Sequence, residues 1–70
     1  MLLNFRGTVE DIAKEKSAYL SSNDIFKLSK LEREADSLED AISEIKNIKD
    51  IRLKFKEGDF RSIKKRVRQT

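Results

Sequence analysis

Five cations near the C-terminal end, Arg61, Lys64, Lys65, Arg66 and Arg68, are the side chains of this sequence best suited to grip a ligand. On a helix, Arg61, Lys64, Lys65 and Arg68 fall at i, i+3, i+4 and i+7, opposite Phe60, Ile63 and Val67, with Arg66 at the flank. Such a stripe can follow a phosphate backbone and release counterions, and four or five contacts correspond to a log–log salt slope of about −4 on duplex DNA. No zinc knuckle, RNA-recognition aromatics or compact helix-turn-helix spacing accompanies it. A basic amphipathic helix can also lie on an anionic membrane, but three modest apolar residues anchor it weakly, so a membrane partner is not expected.

A second set is acidic. Glu32, Asp36 and Asp40 recur at i, i+4 and i+8, with Glu39 beside them. These carboxylates form either a solvated helix face or a docking stripe for a basic surface, such as the Lys- and Arg-rich end of a second copy. Carboxylates on an exposed helix lack the pocket, desolvation and outer shell that tune a catalytic acid or hold an ion. Histidine and cysteine are absent. Zinc fingers, thiol chemistry and Cys- or His-based nucleophilic catalysis are thereby excluded, and serine has no imidazole base. No enzyme is expected: no catalytic, cofactor-binding or metal-ligating residue, no cofactor and no small-molecule substrate.

The net charge of +3 is unevenly placed. Residues 32–45 set Arg33 against six carboxylates, whereas residues 46–70 hold ten basic and three acidic side chains. An acidic middle thus precedes a basic end, and this asymmetry is more informative than the total.

The elements that must position these charges follow from the apolar spacing. Leu28, Leu31, Ala35, Leu38, Ile42 and Ile45 succeed one another at intervals of 3, 4, 3, 4 and 3, and the seam continues through Ile48, Ile51 and Phe55. There is no proline, and no glycine between Gly7 and Gly58. The pattern predicts one long helix over residues 24–57, whose roughly thirty seam-bearing residues would span about 45–50 Å at 1.5 Å per residue. Thr8 as N-cap, Glu10 and Asp11 in the first turn, and the stripe Val9, Ile12, Ala13, Lys16, Leu20 predict an earlier helix over residues 9–20. Lys16 is expected to lay its stem along the apolar edge. Ser21, Ser22, Asn23 and Asp24 form the turn between the two, which a short link makes an antiparallel hairpin.

Beyond Gly58 two readings compete. Ile51, Leu53 and Phe55 alternate, but a β-hairpin at Glu57-Gly58 would set Lys54 opposite Arg61, a like-charge pair. A helix over residues 59–68, with Gly58 as stop and Asp59 as N-cap, is favoured. Residues 1–7 are too brief to assign among strand, arm and cap.

The expectation is therefore a single all-α domain over residues 1–70. It would be an antiparallel helical hairpin with one long second helix and a short basic C-terminal helix, assembling into a bundle. At this size a lone core is marginal. The first helix covers roughly Ile25 to Leu38, leaving Ile42, Ile45, Ile48, Ile51 and Phe55 for a protein partner or homo-oligomer. Ile45→Asp would then leave a helical monomer. The break in the heptad between Ile45 and Ile48 favours a short antiparallel bundle over a long parallel coiled coil. The expected function is a non-enzymatic interaction module: a subunit, adaptor or inhibitor. The alternative is a nucleic-acid-binding regulator, dimerised by the same seam and holding phosphates with Arg61, Lys64, Lys65, Arg66 and Arg68. No apolar run is long enough to span a membrane and no signal-peptide core follows Met1, so a soluble, intracellular and by default cytoplasmic location is expected.

Overall fold

A computed structural model describes residues 4–68, and these form five helices with no strand among them. They are α1 (Phe5–Glu15), α2 (Ser22–Glu34), α3 (Leu38–Asn47), α4 (Lys49–Lys54) and α5 (Glu57–Arg68). The helical class agrees with the sequence reading; the long second helix does not.

Helix α1 begins four residues before its predicted start. Asn4, at φ 70°, takes the N-cap position, and Thr8 lies buried inside the helix rather than capping it. Asn4 supplies no side-chain cap. The carboxylate of Glu32, reaching over from α2, accepts instead from the Arg6 N–H at 3.0 Å, satisfying one of the helix's orphan donors. The helix ends at Glu15, before the predicted residue 20, in a Schellman motif. Ala18 N–H donates to the Ala13 carbonyl at 2.8 Å and Ser17 N–H to the Lys14 carbonyl at 3.0 Å. Ser17 occupies the left-handed position at φ 58°, where glycine is usual.

The predicted turn at residues 21–24 is the start of α2. Ser21 and Asp24 form a capping box: the Asp24 N–H donates to Ser21 Oγ at 3.1 Å and the Ser21 N–H to Asp24 Oδ2 at 3.2 Å.

The predicted helix over residues 24–57 is broken three times, at Ala35, Ile48 and Phe55, whose backbones are extended. None of the three is glycine or proline. Ser37 makes the first break durable, because its Oγ accepts the Asp40 N–H at 3.1 Å and restarts the chain as α3. The driving force is burial. A straight helix would leave half the seam in water, whereas the broken chain folds it onto α1 and α5. The longest extent of the Cα trace is 27 Å, little more than half the length of the helix first expected.

The resulting core contains Phe5, Val9, Ile12 and Ala13 of α1, Leu28 of α2, and Leu38, Ala41, Ile42 and Ile45 of α3. Ile51, Phe55, Phe60 and Ile63 complete it. Helix α1 packs on both α2 and α5, and α3 on α2, α4 and α5. Phe55 and Phe60 meet edge to face with centroids 6.0 Å apart, closing the turn into α5. That helix begins two residues before its predicted start. Gly58 lies within its first turn without positive φ, so it stops nothing. Asp59 does not cap as N-cap; its Oδ2 reaches back to accept the Lys56 N–H at 2.9 Å.

Burying a side chain such as Ile45 contributes about 1.5–3 kcal/mol, against roughly 1 kcal/mol for a cap. Ile45→Ala should therefore cost about 2–5 kcal/mol, and Ser37→Ala about 1 kcal/mol, in urea unfolding followed by far-UV circular dichroism. Ile45→Asp, which the sequence suggested would leave a helical monomer, should instead lose most of its helical signal, since Ile45 is wholly buried.

Candidate functional site

The seam Ile42, Ile45, Ile48, Ile51 and Phe55, expected to face a partner, faces inward. Ile42, Ile45, Ile51 and Phe55 are all buried in the chain's own core. Only Ile48 remains half exposed. The fold supplies from within the cover that a partner was expected to bring.

The five cations of α5 are split by their neighbours. Arg66 grips Glu15 of α1 with two parallel bonds, Nη1 to Oε2 at 2.7 Å and Nη2 to Oε1 at 2.9 Å. The hydrogen bond from Arg66 holds the Glu15 carboxyl below its ordinary pKa, and the same bond raises the guanidinium's. Lys64 lies 3.7 Å from Glu39 of α3, and Arg68 hydrogen-bonds the same carboxylate. A bond from its own backbone N–H lowers the Glu39 pKa most; burial opposes it, and the charges of Arg68 and Lys64 add to the lowering, so the carboxyl stays below its ordinary value. Arg61 and Lys65 are exposed and make no ion pair among the described residues. The predicted stripe thus retains two free cations of its five.

The acidic set is divided too. Glu32 turns toward α1 and Glu39 toward α5, because the break at Ala35 destroys the i, i+4, i+8 register. Asp36 and Asp40 stay together and acquire new neighbours. Between α2 and α3 lies a groove of about 490 Å³. Leu31, Ala35 and Ile48, all half-buried, supply its apolar lining, and Lys27, Lys30 and Glu34 come from α2. Asp36, Asp40, Ser43 and Glu44 come from the linker and α3. Its four carboxylates and two lysines make no ion pair among the described residues. The sequence placed Asp36 and Asp40 on an exposed face but not beside Lys27 and Lys30. That juxtaposition exists only because the chain reverses between Glu34 and Leu38.

Two further features escaped the sequence reading. Asp24, with its side chain 1% exposed, receives the Lys54 ammonium at 2.9 Å across 30 residues of chain. Burial pushes the Asp24 pKa up, but the bonds from Lys54 and Ser21 outweigh it and hold the carboxyl below its ordinary value. Its Oδ1 is buried without a partner, so the pair is a costly one to break. Lys54 also stands 6.0 Å over the Tyr19 ring. Lys16, just past the end of α1, pairs with Asp59 of α5, its ammonium 5.2 Å over the Phe55 ring. Lys16, helped by the Lys56 N–H, lowers the Asp59 pKa. Leu53 is the second surprise. It is 71% exposed on α4, off the seam that Ile51 and Phe55 follow, and its alternation with them had suggested a strand.

No group of His, Cys, Asp or Glu side chains suited to a metal ion occurs among the described residues, and none of the described helices is long and apolar enough to cross a membrane. The chain matches no family model, no curated protein and no solved structure. Its function must be read from these surfaces.

Asp24, Glu15, Glu39 and Asp59 all have folded pKa values below their unfolded ones. Their stabilisation is present in full above the unfolded values and is lost as pH falls through the folded ones. Urea stability should accordingly be flat near neutrality and decline below about pH 4. In Lys54→Met the Asp24 carboxyl should titrate higher than in the parent, as followed by carboxyl NMR. An unmoved titration would show that Lys54 does not hold the charge.

Proposed function

We propose that this protein is a non-enzymatic interaction module whose α2–α3 groove receives a short basic helix, tipped by an apolar side chain, from a protein partner. One observation carries the reading: a half-buried apolar floor of Leu31, Ala35 and Ile48 beside four carboxylates that make no ion pair among the described residues. An apolar residue gains affinity by leaving water on that floor. Cations around it gain by approaching Glu34, Asp36, Asp40 and Glu44, which sets register and speeds encounter. Lys27 and Lys30 on the α2 side oppose an all-basic ligand and favour one that also carries a carboxylate. This surface replaces the seam first expected, of which only Ile48 takes part.

A synthetic helical peptide presenting one leucine, with lysine and arginine at i−4 and i−1, tests the reading by amide NMR. Shifts should centre on Leu31, Ala35 and Ile48, and Asp40→Lys with Glu44→Lys should weaken binding at least about tenfold. Shifts elsewhere, or none, would refute it.

The nucleic-acid reading keeps one specific support, the unpaired and exposed pair Arg61 and Lys65. With Lys64, Arg66 and Arg68 engaged by Glu39 and Glu15, duplex binding should show a log–log salt slope of about −2 rather than −4. Fluorescence anisotropy across a salt series, with Arg61→Glu and Lys65→Glu as controls, decides it.

A further inference from the structure

The outer face of α4 mirrors the groove. Leu53 is its exposed apolar point, with Lys49 one turn behind it on the same face and Arg52 and Asp50 on the flanks. Lys56 follows at i+3 from Leu53, in the turn to α5. Lys49, Asp50 and Arg52 make no ion pair among the described residues, and Lys56 only stands near Asp59, which is already held by Lys16. The knob therefore carries three cations and one carboxylate around a leucine. The groove carries the converse, four carboxylates and two lysines around an apolar floor.

We infer that the groove is occupied by α4 of a second copy of this chain, with Leu53 on the floor formed by Leu31, Ala35 and Ile48. The inference rests on the groove being a docking site, and it names the occupant from complementarity of both kinds. The leucine meets the apolar floor, Lys49 and Arg52 meet the acidic wall of α3, and Asp50 meets the lysines of α2. Connectivity adds a second argument. Ile48 both lines the groove and immediately precedes α4, so groove and knob are consecutive along the chain. A two-fold axis beside Ile48 lets each copy give Leu53 and receive Leu53, which closes the assembly as a dimer rather than leaving it to grow. Helix α4 has only six residues, so the contact is small and its affinity modest.

Sedimentation velocity of the full chain over a wide concentration range tests this. The parent should show a monomer–dimer equilibrium weakened by salt. Leu53→Asp should raise the dimer dissociation constant at least about tenfold without loss of helicity, since that side chain lies in water within the monomer. Charge reversal gives the sharper result. Arg52→Glu alone and Asp40→Arg alone each place two like-charge contacts in their own dimer and should dissociate. Mixed together they form a heterodimer in which both contacts are of opposite sign, and association should return. A chain that stays monomeric throughout overturns the inference, as does a monomer whose α4 cations bind duplex DNA instead. So does a dimer indifferent to Leu53→Asp. The synthetic-helix titration then judges the groove separately, because a monomer that still takes the peptide keeps the docking site and loses only the second copy.

Discussion

Everything in this molecule depends on keeping dry a stripe of apolar side chains that is longer than any single neighbouring helix can cover. From Leu28 to Phe55 the stripe would run along a helix of about 40 Å, while α1 offers 11 residues of cover and α5 offers 12. Leaving Ile45, Ile51 and Phe55 in water would forfeit about 1.5–3 kcal/mol for each. Breaking the helix sacrifices a few backbone hydrogen bonds, each with a net value near 1 kcal/mol, and several of these are recovered by Ser37 Oγ and by short-range carbonyl contacts. Burial wins, and the chain folds back on itself.

The polar contacts hold the segments so produced in place. Four of the links between parts of the chain far apart in sequence are Glu32 to the N-terminus of α1, Glu15 to Arg66, Lys16 to Asp59, and Asp24 to Lys54. Three of them are partly or largely exposed and worth little each. The fourth differs because Asp24 is buried, and breaking it would strand a charge in the interior. Register between the start of α2 and the end of α4 thus rests on one ion pair, while the exposed bonds trim the surface charge that α5 presents.

That trimming decides which surfaces are left to act. Glu15 and Glu39 draw three of the five α5 cations into the fold's own electrostatics, which weakens the phosphate-binding reading. The chain reversal at Ala35 places two lysines and four carboxylates on the edges of one apolar groove. On α4, Leu53 is left exposed beside Lys49 and Arg52. The charges that matter for recognition are those the fold has left without partners, not those that are densest in the sequence.

Composition and local chemistry alone determined the helical class, the burial of Val9, Ile12 and Ala13 and the helix that carries Phe60 and Ile63. These depend on neighbours within a turn or two, and i, i+3 and i+4 spacing reports such neighbours directly. The breaks at Ala35, Ile48 and Phe55 were not legible in the same way, because each residue is helix-compatible and the seam runs through all three without interruption. Ser37 three residues before Asp40 was the one local hint. What faces the seam, and hence whether Ile45 meets a partner or the chain's own helices, is a question of covering area among segments distant in sequence. Tertiary packing alone decided it, and with it which lysines, carboxylates and leucine remain at the surface to be recognised.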